Sequence, residues 1–375
     1  MKVGIVGAGI AGLATAVAFA RLGAEVIVYE RPDATTAGAG ISLFSNGLRA
    51  LDAIGLGEAV RALGAPPNIP LGLRTPRGHW LVRPSPAAGP EFGVIHRGDL
   101  RDILSAAAPD VQFSPVVAVH STATTATVSL DSGATQTFDL VVGAEGVGSG
   151  IRRSWPDDPG IRYAGYTAWR GITKVAFDVP AAGETYGRGE RFGIVPMNDG
   201  RIYWYATVST PANWSAADEK AELVRRFAGW HDPIPALLDA TDSRAVLRND
   251  IITLAAPLAR FTRGRVVLVG DAAHAMTPDL GQGGNQALED AITLAAFAGR
   301  EHNLDAALGL YDETRRERTA AIARRSWQMG KIAQVHSRPA VGFRNALIWL
   351  TPAAVAVRTS TRLQAWQPPS PEPAP

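Results

Sequence analysis

The stretch GIVGAGIAGLATAVAFARLGAEVIVYE, residues 4–30, decides the fold of this 375-residue chain. Its start belongs to a short apolar run over 2–7 that predicts a buried strand. Small and apolar residues over 12–22 predict a helix, and EVIVYE at 25–30 predicts a second strand. A strand, a helix and a second strand in this order form a β-α-β unit, the building block of a parallel sheet covered by helices.

Three glycines, Gly7, Gly9 and Gly12, stand in G-x-G-x-x-G spacing between the first strand and the helix. The first permits a tight turn, the second lets a pyrophosphate approach the helix N-terminus, and the third permits close helix–strand packing. Glu30 ends the second strand, where a carboxylate can accept hydrogen bonds from both ribose hydroxyls. The same predicted cofactor site includes Ile10, Ala11 and Arg31.

Glycines with this spacing can also serve only to pack a β-α-β unit. The flanking strands and Glu30 together favour a binding site for an adenine dinucleotide over a packing role alone. The motif alone does not separate FAD from NAD. A carboxylate at this position disfavours a 2′-phosphate, so NADPH is not expected in this particular site.

The length and amino-acid composition limit the classes to which the protein can belong. A chain of this length exceeds one usual domain, so we expect two lobes, and 46% hydrophobic residues allow a large core. A net charge of +2 gives no field that would attract nucleic acid, and the lack of cysteine excludes disulfides and thiolate chemistry. No apolar run reaches the ~18 residues that span a bilayer, and no signal-peptide cleavage site stands out, so we expect a cytoplasmic protein.

Periodicity along the chain predicts the remaining elements. Residues 111–143 alternate as short strands, and residues 161–210 predict a separate, largely antiparallel sheet. Helical spacing recurs over 46–60, 96–108 and 218–240, and again after the strand 265–270 as far as about residue 336.

A second glycine-rich stretch, GDAAHAMTPDLGQGGNQALED at 270–290, follows the strand-like run RVVLV. Asp271 comes directly after that strand, and the turn at 281–285 opens a helix whose free N–H groups would attract an anion. Each feature alone is typical of an ordinary turn. In a chain that already has a dinucleotide site, they fit a cofactor that extends beyond its pyrophosphate, and FAD is such a ligand.

Together with DLVVGAEGVGSGIRR (139–153), these motifs resemble the group A flavoprotein monooxygenases, the aromatic hydroxylases related to p-hydroxybenzoate, salicylate and 3-hydroxybenzoate hydroxylases. The resemblance covers residues 2–330, and GAGISLFSNGLRALDAIGL (38–56) and HRGDLRDIL (96–104) support it. It implies an α/β fold in which a Rossmann-like FAD-binding domain is interleaved with a substrate domain that is mostly antiparallel sheet.

The expected boundaries follow from these assignments. The FAD-binding domain would comprise 1–70, 96–160 and 260–300, and the substrate domain 71–95 and 161–259. C-terminal helices would occupy 301–366, and the proline-rich tail 367–375 would be disordered.

The resemblance also assigns roles to residues. Asp271 would contact the ribityl or ribose hydroxyls of FAD, Pro278 would lie near the reacting edge of the flavin, Arg97 would contact FAD, and the Val117 backbone would contact adenine. A helix N-terminus beside the pyrimidine edge would stabilise negative charge on the reduced flavin. The residues of that turn are Gly281, Gly283, Gly284 and Asn285.

One residue departs from the family pattern. The family has an aspartate before the glycine at 146, where this chain has Glu145. That motif is associated with both FAD and NAD(P)H binding, so the longer side chain leaves the docking of the reductant open, as well as the choice between NADH and NADPH.

Substrate residues are expected on the antiparallel sheet. Strand alternation puts Tyr203 and Tyr205 on one face and Trp204 on the other, and one face would cover an aromatic substrate. Arg170 could hold a substrate carboxylate, although an exposed strand arginine is an equal alternative. His274 could be a polar group near the flavin or a structural residue.

The resemblance implies that the protein is an NAD(P)H-consuming monooxygenase that hydroxylates or epoxidises an aromatic or polycyclic small molecule with O2, through a flavin C4a-hydroperoxide. A flavin oxidoreductase without oxygen insertion and a non-enzymatic flavin-bound scaffold or sensor remain alternatives. The W-x-W-x-I-P signature of flavin halogenases is not found. We expect a monomer or homodimer with no metal and no nucleic-acid or membrane partner.

Overall fold

The computed structural model describes the following residues: 1–32, 40–63, 71–84, 92–179, 181–351 and 361–369. The strands in these ranges are β1 (Lys2–Val6), β2 (Glu25–Glu30), β3 (Gly40–Phe44), β4 (Leu71–Arg74), β5 (Trp80–Val82), β6 (Phe92–His96), β7 (Val111–Phe113), β8 (Val116–Ser121), β9 (Ala126–Leu130), β10 (Thr135–Phe138), β11 (Leu140–Gly143), β12 (Ile161–Ala176), β13 (Ala182–Tyr186), β14 (Glu190–Pro196), β15 (Arg201–Val208), β16 (Leu247–Leu254), β17 (Thr262–Arg263) and β18 (Val266–Leu268).

The α-helices in the same ranges are α1 (Ile10–Arg21), α2 (Ser45–Ala53), α3 (Gly57–Leu63), α4 (Arg97–Ala107), α5 (Gly150–Arg153), α6 (Glu219–Phe227), α7 (Ile234–Asp239), α8 (Asp271–His274), α9 (Gly283–Arg300), α10 (Leu304–Ala333) and α11 (Arg338–Leu350). Single 3-10 turns lie at Gly146–Gly148, Ser243–Ala245 and Pro278–Leu280. Among the described helices, none is long and apolar enough to cross a bilayer.

A six-stranded sheet in the order β17-β18-β11-β1-β2-β7 forms the first layer. β1 pairs in parallel with both β2 and β11, and β17 is its antiparallel edge strand. β11 is buried at every residue, as expected for a parallel strand covered on both faces. α1 packs against α9 and joins it in one hydrophobic core with the sheet. This arrangement confirms the β-α-β unit that residues 4–30 predict.

A seven-stranded sheet in the order β16-β12-β15-β14-β13-β4-β5 forms the second layer. Its pairs are antiparallel except β13 with β4, which confirms the antiparallel sheet expected from 161–210. One face packs on α6 and α7 through a core of aromatic and aliphatic side chains that includes Trp169, Phe192 and Trp204. Because that face is covered by helices, the opposite face is the one turned toward the rest of the molecule.

Two smaller sheets complete the fold. β3 and β6 form an antiparallel pair, and β8, β9 and β10 form an antiparallel meander. β6 comes from the segment 71–95 assigned above to the substrate domain, yet it pairs with β3 from the segment 1–70. The chain therefore passes between the two layers before residue 96, and the exact domain boundaries stay a prediction.

Three helical runs that we expected to be continuous are interrupted. The run 46–60 divides into α2 and α3 at Gly55, whose φ of 74° favours glycine at a helix end. The run 218–240 divides into α6 and α7 near Pro233, because a proline has no N–H to continue a helix. The run after residue 270 divides into α8, a 3-10 turn, α9 and α10, and Gly281 takes a φ of 62° at the end of that turn.

The C-terminal part of the chain returns to the first layer. Arg49 Nε on α2 donates to the carbonyl of Trp366 at 2.9 Å, and Arg318 Nη2 on α10 donates to the carbonyl of Leu363 at 2.8 Å. These contacts lie at the end of the C-terminal segment expected over 301–366. The expected disorder of the tail falls largely on 370–375, which are outside the described residues.

A buried arginine holds α9 to α10. The Arg315 side chain is fully buried, its Nε donates to Asp290 Oδ1 at 2.7 Å, and its Nη1 donates to Glu289 Oε2. The other oxygen of Asp290 accepts from the Gly270 N–H at 2.8 Å and lies 2.6 Å from His274 Nε2. The same carboxylate therefore fixes both the long helices and the turn that begins α8.

The charges in this cluster stabilise one another. Burial opposes ionisation of Glu289, but Arg315 and Arg318 outweigh it and lower the pKa of that carboxyl. Burial opposes ionisation of Asp290 in the same way, and His274 and Arg315 lower its pKa. Burial also opposes the charge of Arg315, but the two carboxylates raise its pKa above the usual range. Removing one partner would leave the others buried without a counter-charge.

We therefore expect Arg315→Leu to lower the free energy of unfolding by about 3–5 kcal/mol, because Glu289 and Asp290 would remain buried without their partner. The measurement is urea unfolding at saturating FAD. Arg325→Leu, at an exposed position of the same helix, is the matched control. Equal unfolding midpoints for the two variants would contradict a structural role for the cluster.

Candidate active site

The glycine turn after β1 has the geometry of a phosphate-binding loop. Gly7 has a φ of 107°, and a Cβ there would lie 2.5 Å from the Ala144 carbonyl oxygen. A Cβ on Gly12 would lie 1.8 Å from the Gly7 oxygen, so α1 can approach the strand only with glycine at that position. A Cβ on Gly9 would meet nothing within 4 Å, so the space outside this residue is open. Ile10 and Ala11 begin the helix beside that space, and their N–H groups have no intrahelical acceptor.

The carboxylate of Glu30 lies against this loop. Its Oε2 accepts from the Ala8 N–H at 2.8 Å, and its Oε1 accepts from the Arg31 N–H at 2.8 Å. Each oxygen keeps lone pairs for a ribose hydroxyl. The Arg31 side chain is exposed. Arg101, which sequence reasoning missed, donates from Nε to the Ala8 carbonyl at 3.3 Å; its only signal is its place one turn after Arg97 on α4.

Two further predicted FAD contacts are accessible. Arg97 begins α4 with an exposed side chain, while the preceding His96 caps the helix by accepting from the Gly98 N–H at 3.1 Å. Val117 lies at a bulge in β8, between the paired residues Val116 and Ala118, and is 64% exposed. A bulged residue leaves the strand ladder, which frees its backbone groups for another partner.

The second glycine-rich stretch lies next to the first, since a Cβ on Gly270 would be 2.8 Å from the Ala11 Cβ, and we take the two together as one groove. Asp271 begins α8 with an exposed side chain, and a Cβ on Gly283 would lie 3.9 Å from its Oδ1. The aspartate therefore lies beside the N-terminus of α9. Gly283 and Gly284 are the first residues of that helix, so their N–H groups have no intrahelical acceptor. Gly281 provides the left-handed residue that turns the chain into it.

Asn285 differs from its glycine neighbours because its side chain is engaged in hydrogen bonds. Its side chain is fully buried, Oδ1 accepts from the Phe44 N–H at 2.9 Å, and Nδ2 donates to the carbonyls of Ser42 and Gly281. A Cβ on Gly47 would lie 2.2 Å from the same Oδ1. The amide thus ties the turn to β3, and only the backbone N–H of Asn285 remains for a ligand.

Glu145, the departure from the family pattern, is engaged within its own segment. Its Oε2 accepts from the Ser149 hydroxyl at 2.5 Å and from the Ile151 N–H at 3.3 Å, and its Oε1 accepts from the Gly150 N–H at 3.0 Å. These contacts cap the short helix α5. The longer side chain allows the carboxylate to reach those donors.

The face of the seven-stranded sheet opposite α6 and α7 carries the predicted substrate residues. Arg170 on β12 lies opposite Tyr205 on β15, and Ile172 lies opposite Tyr203. Directly opposed residues share a face, so all of these side chains point away from α6 and α7. Trp204 points the other way into the helix-covered core. The structure thus separates the tyrosines from the tryptophan as strand alternation predicts.

The two tyrosines have different surroundings. The Tyr203 ring packs over Gly40 of β3, where a Cβ would lie 2.5 Å from the ring. Burial raises the pKa of Tyr203, and Arg170 offsets part of that effect. The Tyr205 hydroxyl donates to Glu184 Oε1, and burial together with Glu184 holds the pKa of Tyr205 well above 10.0. Both phenols are therefore neutral at physiological pH.

A buried ion pair, which sequence reasoning missed, links this sheet to the 3-10 turn at Pro278–Leu280, called the flavin turn here because Pro278 is expected to lie near the flavin. Arg191 Nη2 on β14 lies 2.9 Å from Asp279 Oδ1 in this turn, and the two side chains are 2% and 0% exposed. Tyr166 on β12 donates its hydroxyl to Asp279 Oδ2 at 2.7 Å. Burial and then Asp279 raise the pKa of Tyr166. The aspartate stands inside the PDLGQGG stretch, but only the tertiary contact reveals its partners.

Arg191 also lies on the face of the sheet that carries Tyr203 and Tyr205. Burial opposes its charge, but Glu184 and Asp279 raise the pKa of its guanidinium well above the usual range. Its Nε is buried and has no hydrogen-bond partner in the part of the chain that the structure describes. A polar group of a ligand or a water would satisfy that donor.

Three further predicted residues, Pro278, Arg170 and His274, have different surroundings. Pro278 is exposed at the start of the 3-10 turn, next to the ion pair. Arg170 is partly buried, with Nη1 3.4 Å from Asn249 Oδ1. His274 is buried beside Asp290 rather than in the groove, which fits the structural alternative.

The donors along the groove fit FAD from end to end. The open space at Gly9 and the carboxylate of Glu30 fit the pyrophosphate and a ribose. The exposed Asp271 and the free amides at the start of α9 fit the ribityl chain and the pyrimidine edge of the flavin.

Comparisons with known proteins agree with this fit. A family model described as an FAD binding domain matches residues 1–326. The aurachin C monooxygenase/isomerase of Stigmatella aurantiaca is 38% identical over 96% of this chain and 97% of that protein. The 2-heptyl-3-hydroxy-4(1H)-quinolone synthase of Pseudomonas aeruginosa is 34% identical over 97% of each chain. The crystal structure of Klebsiella pneumoniae HpxO with FAD and uric acid has a TM-score of 0.88 and 27% identity over 97% of both chains. FAD as cofactor and the expected α/β fold are both confirmed.

Asp271→Ala is expected to weaken FAD binding by about tenfold, because the groove would lose a charged acceptor for cofactor hydroxyls. The measurement is the dissociation constant of FAD for deflavinated protein, followed by flavin fluorescence. Asp131→Ala, in the exposed turn between β9 and β10, is the control. If both variants bind FAD like the parent chain, Asp271 does not contact the cofactor.

Proposed function

Because the chain belongs to the group A FAD-dependent monooxygenases, we propose that it uses NADH or NADPH and O2 to hydroxylate or epoxidise a flat, bicyclic aromatic compound. The substrate would lie between the flavin and the face of the seven-stranded sheet that carries Arg170 and Tyr205. A catalytic role distinguishes this proposal from a flavin-bound scaffold or sensor.

One observation carries the proposal. Asp279 follows Pro278 in the flavin turn and is bonded to two strands of the sheet, through Arg191 at 2.9 Å and Tyr166 at 2.7 Å. The turn and the sheet face are therefore held at a fixed separation, with an aromatic face on one side and the cofactor groove on the other. A flat ring between them would be oriented by both walls.

Bound FAD supplies the oxygen-activating chemistry, and the protein supplies position and exclusion of water. The amides at the start of α9 would stabilise negative charge at the pyrimidine edge of the flavin. Val94 of β6 packs against Val195, Met197 and Tyr203 in an apolar cluster beside the sheet face, and this cluster would exclude water from the ring. Arg170 would orient the substrate through a carbonyl or carboxylate oxygen.

The names of the relatives support the substrate class. A quinolone is named for one relative that spans 97% of this chain, and uric acid is bound in the related HpxO structure. Both ligands are flat, bicyclic nitrogen heterocycles with carbonyl oxygens. A substrate of this kind would offer Arg170 an acceptor and the tyrosines a flat face.

The reductant would bind transiently at another surface, because the chain has one dinucleotide fingerprint. Glu30 disfavours a 2′-phosphate only in that fingerprint, so it does not choose between NADH and NADPH. The Glu145 carboxylate is occupied by α5, so we propose that it supports the local fold rather than contacting the reductant.

The proposed reaction predicts substrate-stimulated oxidation of NADH or NADPH by the purified yellow protein. A panel of 4-quinolones, purines and phenols would be screened under 18O2, and one labelled oxygen atom is expected in the product by mass spectrometry. Product without label would identify an oxidoreductase that does not insert oxygen. Flavin-containing protein without turnover on any substrate class would favour the scaffold.

With a substrate identified in this way, Arg170→Gln should raise KM about tenfold and leave kcat within a factor of two. The reason is that Arg170 would bind the substrate equally well in the ground state and in the transition state. Lys174→Gln on the same strand is the control, since Lys174 is 62% exposed and pairs with Asp242. Matching KM values in the two variants would remove Arg170 from the substrate site.

A further inference from the structure

A cavity of about 350 Å3 lies behind the flavin-binding segment, outside the site described above. Its walls are the chain after β16, the segment 273–277 and one face of α10. Leu254, Leu258 and Phe261 supply apolar contacts on one side, and Ala320, Ala323 and Trp327 supply them on the other. The volume is within the range of pockets that hold small organic ligands, about 300–1,000 Å3.

Positive charge surrounds this apolar interior. Arg162, Arg316 and Arg324 line the cavity, and among the described residues no Asp or Glu side chain does. The Arg162 guanidinium lies over the Trp327 ring at 3.9 Å from its centroid, which holds it at the rim. Arg316 pairs with Asp312 at 3.2 Å. For Arg162 and Arg324, the described residues offer no carboxylate within ion-pair distance.

The cavity is distinct from the proposed catalytic groove. It shares no residue with the glycine loop, the flavin turn or the sheet face that carries Arg170 and the tyrosines. The segment 273–277 forms one wall of the cavity, and His274 within it is held by Asp290. A ligand in this cavity would therefore not occupy the substrate position.

We propose that this cavity is a second ligand site for an amphipathic monoanion, a compound with an aliphatic or aromatic body and one carboxylate. The body would replace water against the apolar walls, and the carboxylate would lie at Arg162 and Arg324. A ligand without an apolar body would make no contact with the apolar walls. A ligand without a carboxylate would leave the arginines unpaired. The combination selects a molecule with both parts.

The test is calorimetric titration of the full FAD-containing protein with octanoate, and with 1-octanol as its neutral match. We expect one saturable octanoate site per chain. Ala323→Trp fills the cavity and should abolish binding of both compounds. Arg324→Gln should weaken octanoate about fivefold, as for an exposed charge pair, and leave 1-octanol unchanged. Arg325→Gln, next in the chain and outside the cavity lining, is the control.

Three outcomes would overturn the proposal. One is an octanoate affinity that Ala323→Trp does not change, which would locate binding at another surface. Another is an equal loss of affinity in Arg324→Gln and Arg325→Gln, which would reflect net charge alone. The third is no saturable binding to the parent chain. The arginine variants alter exposed side chains, so they keep the test decisive even where the tryptophan variant fails to fold.

Discussion

The guanidinium of Arg315, buried between Glu289 and Asp290, is the interaction on which the cofactor site depends. It holds the middle of α9 to α10, and Asp290 also fixes the N–H of Gly270. The start of α9 is the expected contact with the flavin, and Gly270 begins the segment that carries Asp271. One cluster of paired charges therefore sets the distance between two parts of the same binding groove. Buried ion pairs need not add net stability, but losing one partner leaves a strongly unfavourable buried charge.

A second link, between Asp279 and Arg191, joins the cofactor layer to the substrate sheet. The layers also meet where the Tyr203 ring packs over Gly40 of β3, and where Gln334, just after α10, donates from Nε2 to Thr207 Oγ1 of β15 at 2.5 Å. The tyrosines on this face are neutral and hydrogen-bonded or packed, so we expect them to shape the site rather than exchange protons. This is consistent with a protein that positions a ring beside a reactive cofactor and leaves the difficult chemistry to that cofactor.

Local sequence patterns predicted most of the cofactor groove. Gly7, Gly9 and Gly12 could be identified because a tight turn and a close helix contact restrict the residue type at fixed spacings. Helix ends were less predictable: Gly55 ends α2 within a run of otherwise continuous helical spacing. Arg191, Arg101 and the bonds of Asn285 could not be found in this way, because each joins residues far apart in the chain.

The sequence by itself determined the fold class, the FAD cofactor and the family, since these rest on short motifs whose geometry is local. Only the tertiary structure decided that Glu145 caps α5, that His274 belongs to a buried charge cluster, and that Asp279 links its turn to two strands of the seven-stranded sheet. The physical reason is that a carboxylate or imidazole takes its role from the groups that surround it. Those groups come from distant segments that only the packed core brings within hydrogen-bonding distance.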